Sequence, residues 1–95
     1  MDERRLQETV RDVHDHLAAT AERPVERSAS RWIGEAEAVA GDLVGPEIDP
    51  DVARDRLGHV DSLLSNVETT GDTEADEHVT AAAELVESVL AELAE

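Results

Sequence analysis

The chain contains no cysteine, no lysine, no phenylalanine and no tyrosine, and only one tryptophan, Trp32. Without cysteine there can be no disulfide, no thiolate metal centre and no thiol nucleophile. Without lysine, eight arginines are the only fixed cations, and 24 Asp and Glu outnumber them to give a formal net charge of −16. There is no run of about 18 apolar residues and no basic-then-apolar leader, so neither a membrane span nor a signal peptide is expected and the expected location is cytoplasmic. Neither form of glycine-rich phosphate loop is present, nor is Gly-x-Ser-x-Gly, and the serines stand in helix-like surroundings. An enzyme is not expected, and no cofactor is expected.

Apolar residues make up 40% of the 95 positions, but 14 of them are alanine, and Leu, Ile and Val together number 22. That suffices for the seam of one small helical bundle, so residues 1–95 are read as a single domain. The acidity repels nucleic acid and anionic membranes, so neither is an expected partner. Self-repulsion is strong at low ionic strength and fades at 1 M salt, where the Debye length is about 3 Å. Abundant Asp and Glu, absent lysine, and many Ala and Val resemble the composition of proteins from salt-in halophilic archaea. A disordered acidic tail would lack the helical periodicity found here; a nucleic-acid mimic would share the size and acidity. The charge is also uneven. Residues 1–56 hold 14 acids and all eight arginines, net −6, whereas residues 57–95 hold ten acids and no arginine, net −10.

The clearest stretch is RPVERSASRWIGEAEAVAGDLVG, residues 23–45. Val25, Ala29, Trp32, Ala36, Val39, Ala40 and Leu43 draw one stripe along a helix, with Ile33 and Val44 widening it. Pro24 suits a first helical position, Gly45 a left-handed cap, and Pro46 a stop. A helix over 24–44 follows, with Trp32 filling space beside a narrow alanine face. Leu6, Val10, Val13 and Leu17, continued by Ala21, predict a first helix over 2–22, opened by Asp2 and Glu3. Asp49 followed by Pro50 begins a third over 50–68, carrying Ala53, Leu57, Val60, Leu64 and Val67, with Val52 and Leu63 beside that line. Gly58 weakens it by about 1 kcal/mol relative to alanine unless a neighbour needs the close approach. Thr73 with Asp76 is a variant capping pattern for a fourth helix over 74–94, striped by Ala75, Val79, Ala82, Val86, Val89 and Leu93. Four such helices with short loops predict an all-α, antiparallel up-down four-helix bundle.

The phrases RSASRWIGEAEAVAGDL, GHVDSLLSNV and EADEHV resemble an uncharacterised family of small haloarchaeal proteins, over roughly residues 13–90. That resemblance implies no activity, cofactor or catalytic residue.

Three kinds of polar pattern remain. His16, His59 and His78 each follow an acid by four residues (Asp12, Asp55 and Glu74), a spacing that places both groups on one helix face. No histidine has the Glu-x-x-His spacing of carboxylate-bridged di-metal bundles, and in so acidic a chain such pairs arise freely. Solvated or rim histidines are the expected reading, with His16 and His78 flanking the seam and His59 pointing outward. His14 is the fourth. Among the acidic pairs Asp12/Asp15, Glu35/Glu37 and Glu84/Glu87, the first and last have the spacing by which helical nucleotide pyrophosphohydrolases hold Mg²⁺. They lack the basic residues expected nearby to hold phosphates, since helix 4 has none, and a solvated face is the better reading. Arg23, Arg27 and Arg31, at i, i+4 and i+8 beside Trp32, form the most specific polar row. They could grip an acidic partner bidentately or be absorbed by Glu26, Glu35 and the acidic fourth helix. The function expected is protein–protein interaction or oligomerisation, as a homodimer or with another protein, through Arg23, Arg27, Arg31 and Trp32 and the small residues of helix 2. The alternative is a divalent-metal-dependent nucleotide hydrolase using the acidic pairs of helices 1 and 4.

Overall fold

A computed structural model describes residues 1–45 and 47–94. Its four helices are α1 (Glu3–Thr20), α2 (Arg27–Leu43), α3 (Pro50–Leu64) and α4 (Thr73–Leu93), and no strand occurs among the described residues. Each helix packs against its two neighbours in a ring, α1 against α2 and α4, α3 against α2 and α4. The longest dimension is 36 Å, close to the roughly 32 Å of a 21-residue helix at 1.5 Å per residue, so the helices run along the long axis. Arg5 meets Glu92 while His16 meets His78; advancing along α1 means retreating along α4, so these two are antiparallel. The short connections between successive helices make the others alternate likewise.

Each apolar stripe turns inward. Leu6, Val10, Val13 and Leu17 of α1, Ala53, Leu57 and Val60 of α3, and Ala82, Val86 and Val89 of α4 are all essentially inaccessible to solvent. On α2 the buried line is Ala29, Ile33, Ala36, Ala40 and Leu43. Ile33 therefore occupies the seam, and Trp32, expected there, lies at its edge, partly buried against the core. Val52 is 48% exposed, outside the seam.

The helix ends follow local chemistry. The Asp2 carboxylate accepts the Arg5 N–H at 2.9 Å, and Asp49 accepts the Asp51 N–H at 2.8 Å with Pro50 opening α3. At α4 the cap is Asp72, one residue earlier than Thr73, and it accepts the Ala75 N–H at 3.0 Å. Three boundaries differ from expectation. Helix α1 ends at Thr20, and residues 21–23 wind down through three-residue backbone bonds; Ala21 is exposed and Thr20 takes the buried place. Helix α2 begins at Arg27 and not at Pro24, because Glu26 is extended and its N–H donates to the Thr70 carbonyl at 2.8 Å. Helix α3 stops at Leu64, where the Ser65 hydroxyl and the Asn66 amide both donate to the Ser62 carbonyl and compete with helical pairing; Val67 lies beyond its end. Gly45 does not take a left-handed cap: Gly71, at φ +82°, is the only described residue with positive φ. The stop expected from Pro46 falls outside the described residues.

Candidate interaction surface

The arginine row divides at the start of α2. Arg23 lies in the connection before the helix and folds onto the start of α4. Its Nε and Nη2 donate to the two Asp72 carboxylate oxygens at 3.0 and 3.1 Å, and Nη1 lies 2.8 Å from Glu74 Oε2. The same Asp72 carboxylate caps α4, so one side chain joins the 21–26 connection to a helix N-terminus. Beside it Thr70, fully buried, donates its N–H to Asp76 Oδ1 at 2.7 Å, and its hydroxyl lies 2.8 Å from the same oxygen. The hydroxyl accepts the Asp72 N–H at 3.1 Å, and the Thr70 carbonyl takes the Glu26 N–H. The Arg23 hydrogen bond holds the Asp72 carboxyl below the usual carboxylate range, and hydrogen bonds from Thr70 do the same for Asp76. Polar groups at this corner satisfy one another.

Arg27 and Arg31 differ. Both stand exposed on α2, one turn apart, and neither makes an ion pair or side-chain hydrogen bond among the described residues. Trp32 follows directly. At 3.6 residues per turn the three span roughly 140° of the helix circumference. On the opposite flank of α2, Glu37 Oε2 comes 4.0 Å from His14 Nε2 of α1, and a Cβ at Gly41 would sit 3.4 Å from the His14 ring. The Trp32 flank, which Val39 shares seven residues on, is therefore the one turned away from α1, toward α3. The small residues of α2 divide: Ser28, Ser30, Gly34 and Ala38 are exposed, while the stripe alanines are not part of the outer face. Ala29, Ala36 and Ala40 are at most 3% exposed, because they let α2 lie close against its own bundle. Of the small residues of α2 expected to meet a partner, these three alanines are covered by the chain's own bundle.

The acidic pairs do not converge. Asp12, Asp15, Glu84 and Glu87 are all exposed, and among the described residues no group of three or more metal-binding side chains comes together. His59 is exposed. His16 and His78, from different helices, face each other with their Nδ1 atoms 3.0 Å apart. The sequence placed both beside the seam but offered no sign of this pairing, because it depends on the register of α1 against α4. The Thr70 corner was also hidden; its one sequence signal is Thr-Gly-Asp in a turn ahead of a helix.

Residues 9–95 match the family described as Domain of unknown function (DUF8152), and the chain belongs to that family. None of the curated proteins and none of the solved structures compared with the chain gives a match. No helix among the described residues is long and apolar enough to cross a membrane.

Proposed function

We propose that this member of DUF8152 is a salt-adapted, non-catalytic association module, and that the exposed side of α2 is its contact surface. The observation that supports this reading is the pair of unpartnered arginines, Arg27 and Arg31, beside the partly buried Trp32. Arg11 and Arg56 also make no ion pair among the described residues, so what sets Arg27 and Arg31 apart is their place one turn apart beside the chain's single tryptophan. Tryptophan and arginine are also the side chains that most often carry interface energy.

The partner we propose is a second copy. Residues 57–95 hold ten acids and no base, and the outer side of α4 presents Glu77, Glu84 and Glu87 to solvent. A twofold pairing lets each α2 face the acidic side of the other chain, so every contact occurs twice. Two chains of −16 repel at low ionic strength, and in molar salt, with a Debye length near 3 Å, that barrier is screened while burial of Trp32 persists. Association that strengthens with salt, in the cytoplasm of a haloarchaeal cell, is the behaviour this reading assigns to the acidic surface. Arg23 serves the fold on this reading, and Arg27, Arg31 and Trp32 serve the contact.

The test is light scattering coupled to size exclusion in multi-molar KCl. The wild type is expected to run as a dimer. Trp32→Ala is expected to weaken the dimer by roughly 30-fold or more, equivalent to about 2 kcal/mol, with helicity retained. The double variant Arg27→Glu/Arg31→Glu is expected to dissociate it too. A monomeric wild type at every salt concentration, or a dimer indifferent to all three substitutions, would overturn the assignment.

A further inference from the structure

We infer that His16 and His78 form a two-imidazole binding site for a late first-row divalent cation, fitting Cu²⁺ best and Ni²⁺ and Zn²⁺ after it. The observation is independent of the α2 surface. The two rings come from neighbouring antiparallel helices, are partly buried, and stand with centroids 5.2 Å apart and planes tilted by 45°. Their Nδ1 atoms are 3.0 Å apart, so one must donate a proton to the lone pair of the other. The donor ring can move that proton to its free Nε2, and the acceptor ring already carries its own proton on Nε2. A cation that takes the place of the shared proton therefore finds two neutral nitrogen ligands already side by side.

The separation discriminates between geometries. Two nitrogens at about 2.0–2.1 Å from one metal lie about 2.9 Å apart at a right angle and about 3.3 Å apart at a tetrahedral angle. The observed 3.0 Å matches adjacent positions of a tetragonal site, the preference of Cu²⁺ and Ni²⁺, and a small opening admits Zn²⁺. The two Nδ1 atoms now face each other, so each ring must turn to aim its lone pair beside the line joining them. No three metal-binding side chains converge among the described residues, so the protein fixes two positions. Water fills the others, since Asp12 is exposed and Glu74 is paired with Arg23. His14, held against Glu37 and Asp15, and the exposed His59 are natural controls.

Cu²⁺ and, separately, Zn²⁺ are titrated into the full chain in about 1 M KCl, where diffuse ion binding to the acidic surface is suppressed. Calorimetry is expected to give one ion per chain, and the electron spin resonance of bound Cu²⁺ to show coupling to two nitrogens. His16→Gln and His78→Gln should each weaken binding by at least about tenfold, the low end of what even outer-shell groups contribute; His59→Gln should leave it unchanged. In the wild type, where no variant need fold, Zn²⁺ should shift the ring-proton resonances of His16 and His78 and spare those of His14 and His59. Absence of saturable binding, shifts spread over all four histidines, or affinity unchanged in both His16→Gln and His78→Gln would overturn the site, the last by assigning the ion to carboxylates.

Discussion

Arg23 and Arg27 are four residues apart and identical in chemistry, yet they meet opposite fates. Arg23 is clamped between Asp72 and Glu74, and every polar group around it answers to another. Arg27 and Arg31 point into solvent with no partner among the described residues. The difference arises in the backbone. Pro24 disfavours a helical Arg23, the Glu26 N–H is drawn to Thr70, and the chain between α1 and α2 is laid across the start of α4. Arg23 lands on a helix N-terminus whose capping carboxylate is already in place; in the first two turns of α2, Arg27 and Arg31 make no such contact among the described residues. An acidic excess alone does not neutralise an arginine, because geometry decides which carboxylates can arrive.

Substitutions can break this contrast, and the largest effect belongs to the seam beneath α2. Ile33→Ala, at a position 3% exposed, is expected to cost about 2–5 kcal/mol in chemical denaturation. Trp32→Ala should cost the monomer less, since that ring is only partly buried. The reverse order would make Trp32 a core residue and leave α2 without an anchor for a partner. At the Arg23 corner, Thr70→Val keeps the shape but strands the Asp72 N–H and removes a hydroxyl from Asp76, at an expected cost of about 1–3 kcal/mol. A loss below that range would mean that water substitutes readily and the corner is looser than its distances imply.

Two helical glycines sharpen the point about reach. A Cβ at Gly58 would meet nothing within 4 Å, so Gly58→Ala is expected to stabilise the protein by about 0.8–1.0 kcal/mol, the full helix-propensity gain. At Gly41 the added Cβ presses on the His14 ring, and the gain should be smaller. The smallest effect is expected from acid. Asp72 and Asp76 have folded-state pKa values lowered from about 3.8, so their contribution is complete above that value and is lost as pH falls through the lower folded values. Stability measured from pH 7 downward should therefore decline below about pH 4, and Asp76→Asn should flatten part of that decline.

Much of the fold was legible in the sequence, because the heptad-like spacing of Leu6, Val10, Val13 and Leu17, and of its counterparts, has one economical solution in an α-helix. The cap at Asp49 was legible too, since it acts within two residues of itself, whereas Asp2, legible only as an acid favouring the dipole of the first helix, is its cap. What could not be read is whatever depends on a second element. Pro24 looked like a helix start because nothing nearby in sequence reveals that Thr70 captures Glu26. Trp32 and Ile33 are adjacent and both apolar, and only the tilt of α2 against α3 decides which takes the seam. The His16–His78 pair needs the register of α1 against α4, fixed by three loops and invisible along either helix. The arginine row was legible as a spacing; its division into a clamped member and two free ones was not.

The central claim, that α2 keeps a surface free for a second copy, is tested most directly by the chain's single tryptophan. Acrylamide quenching of Trp32 fluorescence, followed as protein concentration rises in multi-molar KCl, reports whether association covers that ring. Quenching that weakens as the mass from light scattering doubles is the predicted result. Equal quenching across a monomer-to-dimer transition would place the contact elsewhere, and equal quenching with a constant monomer mass would contradict association altogether.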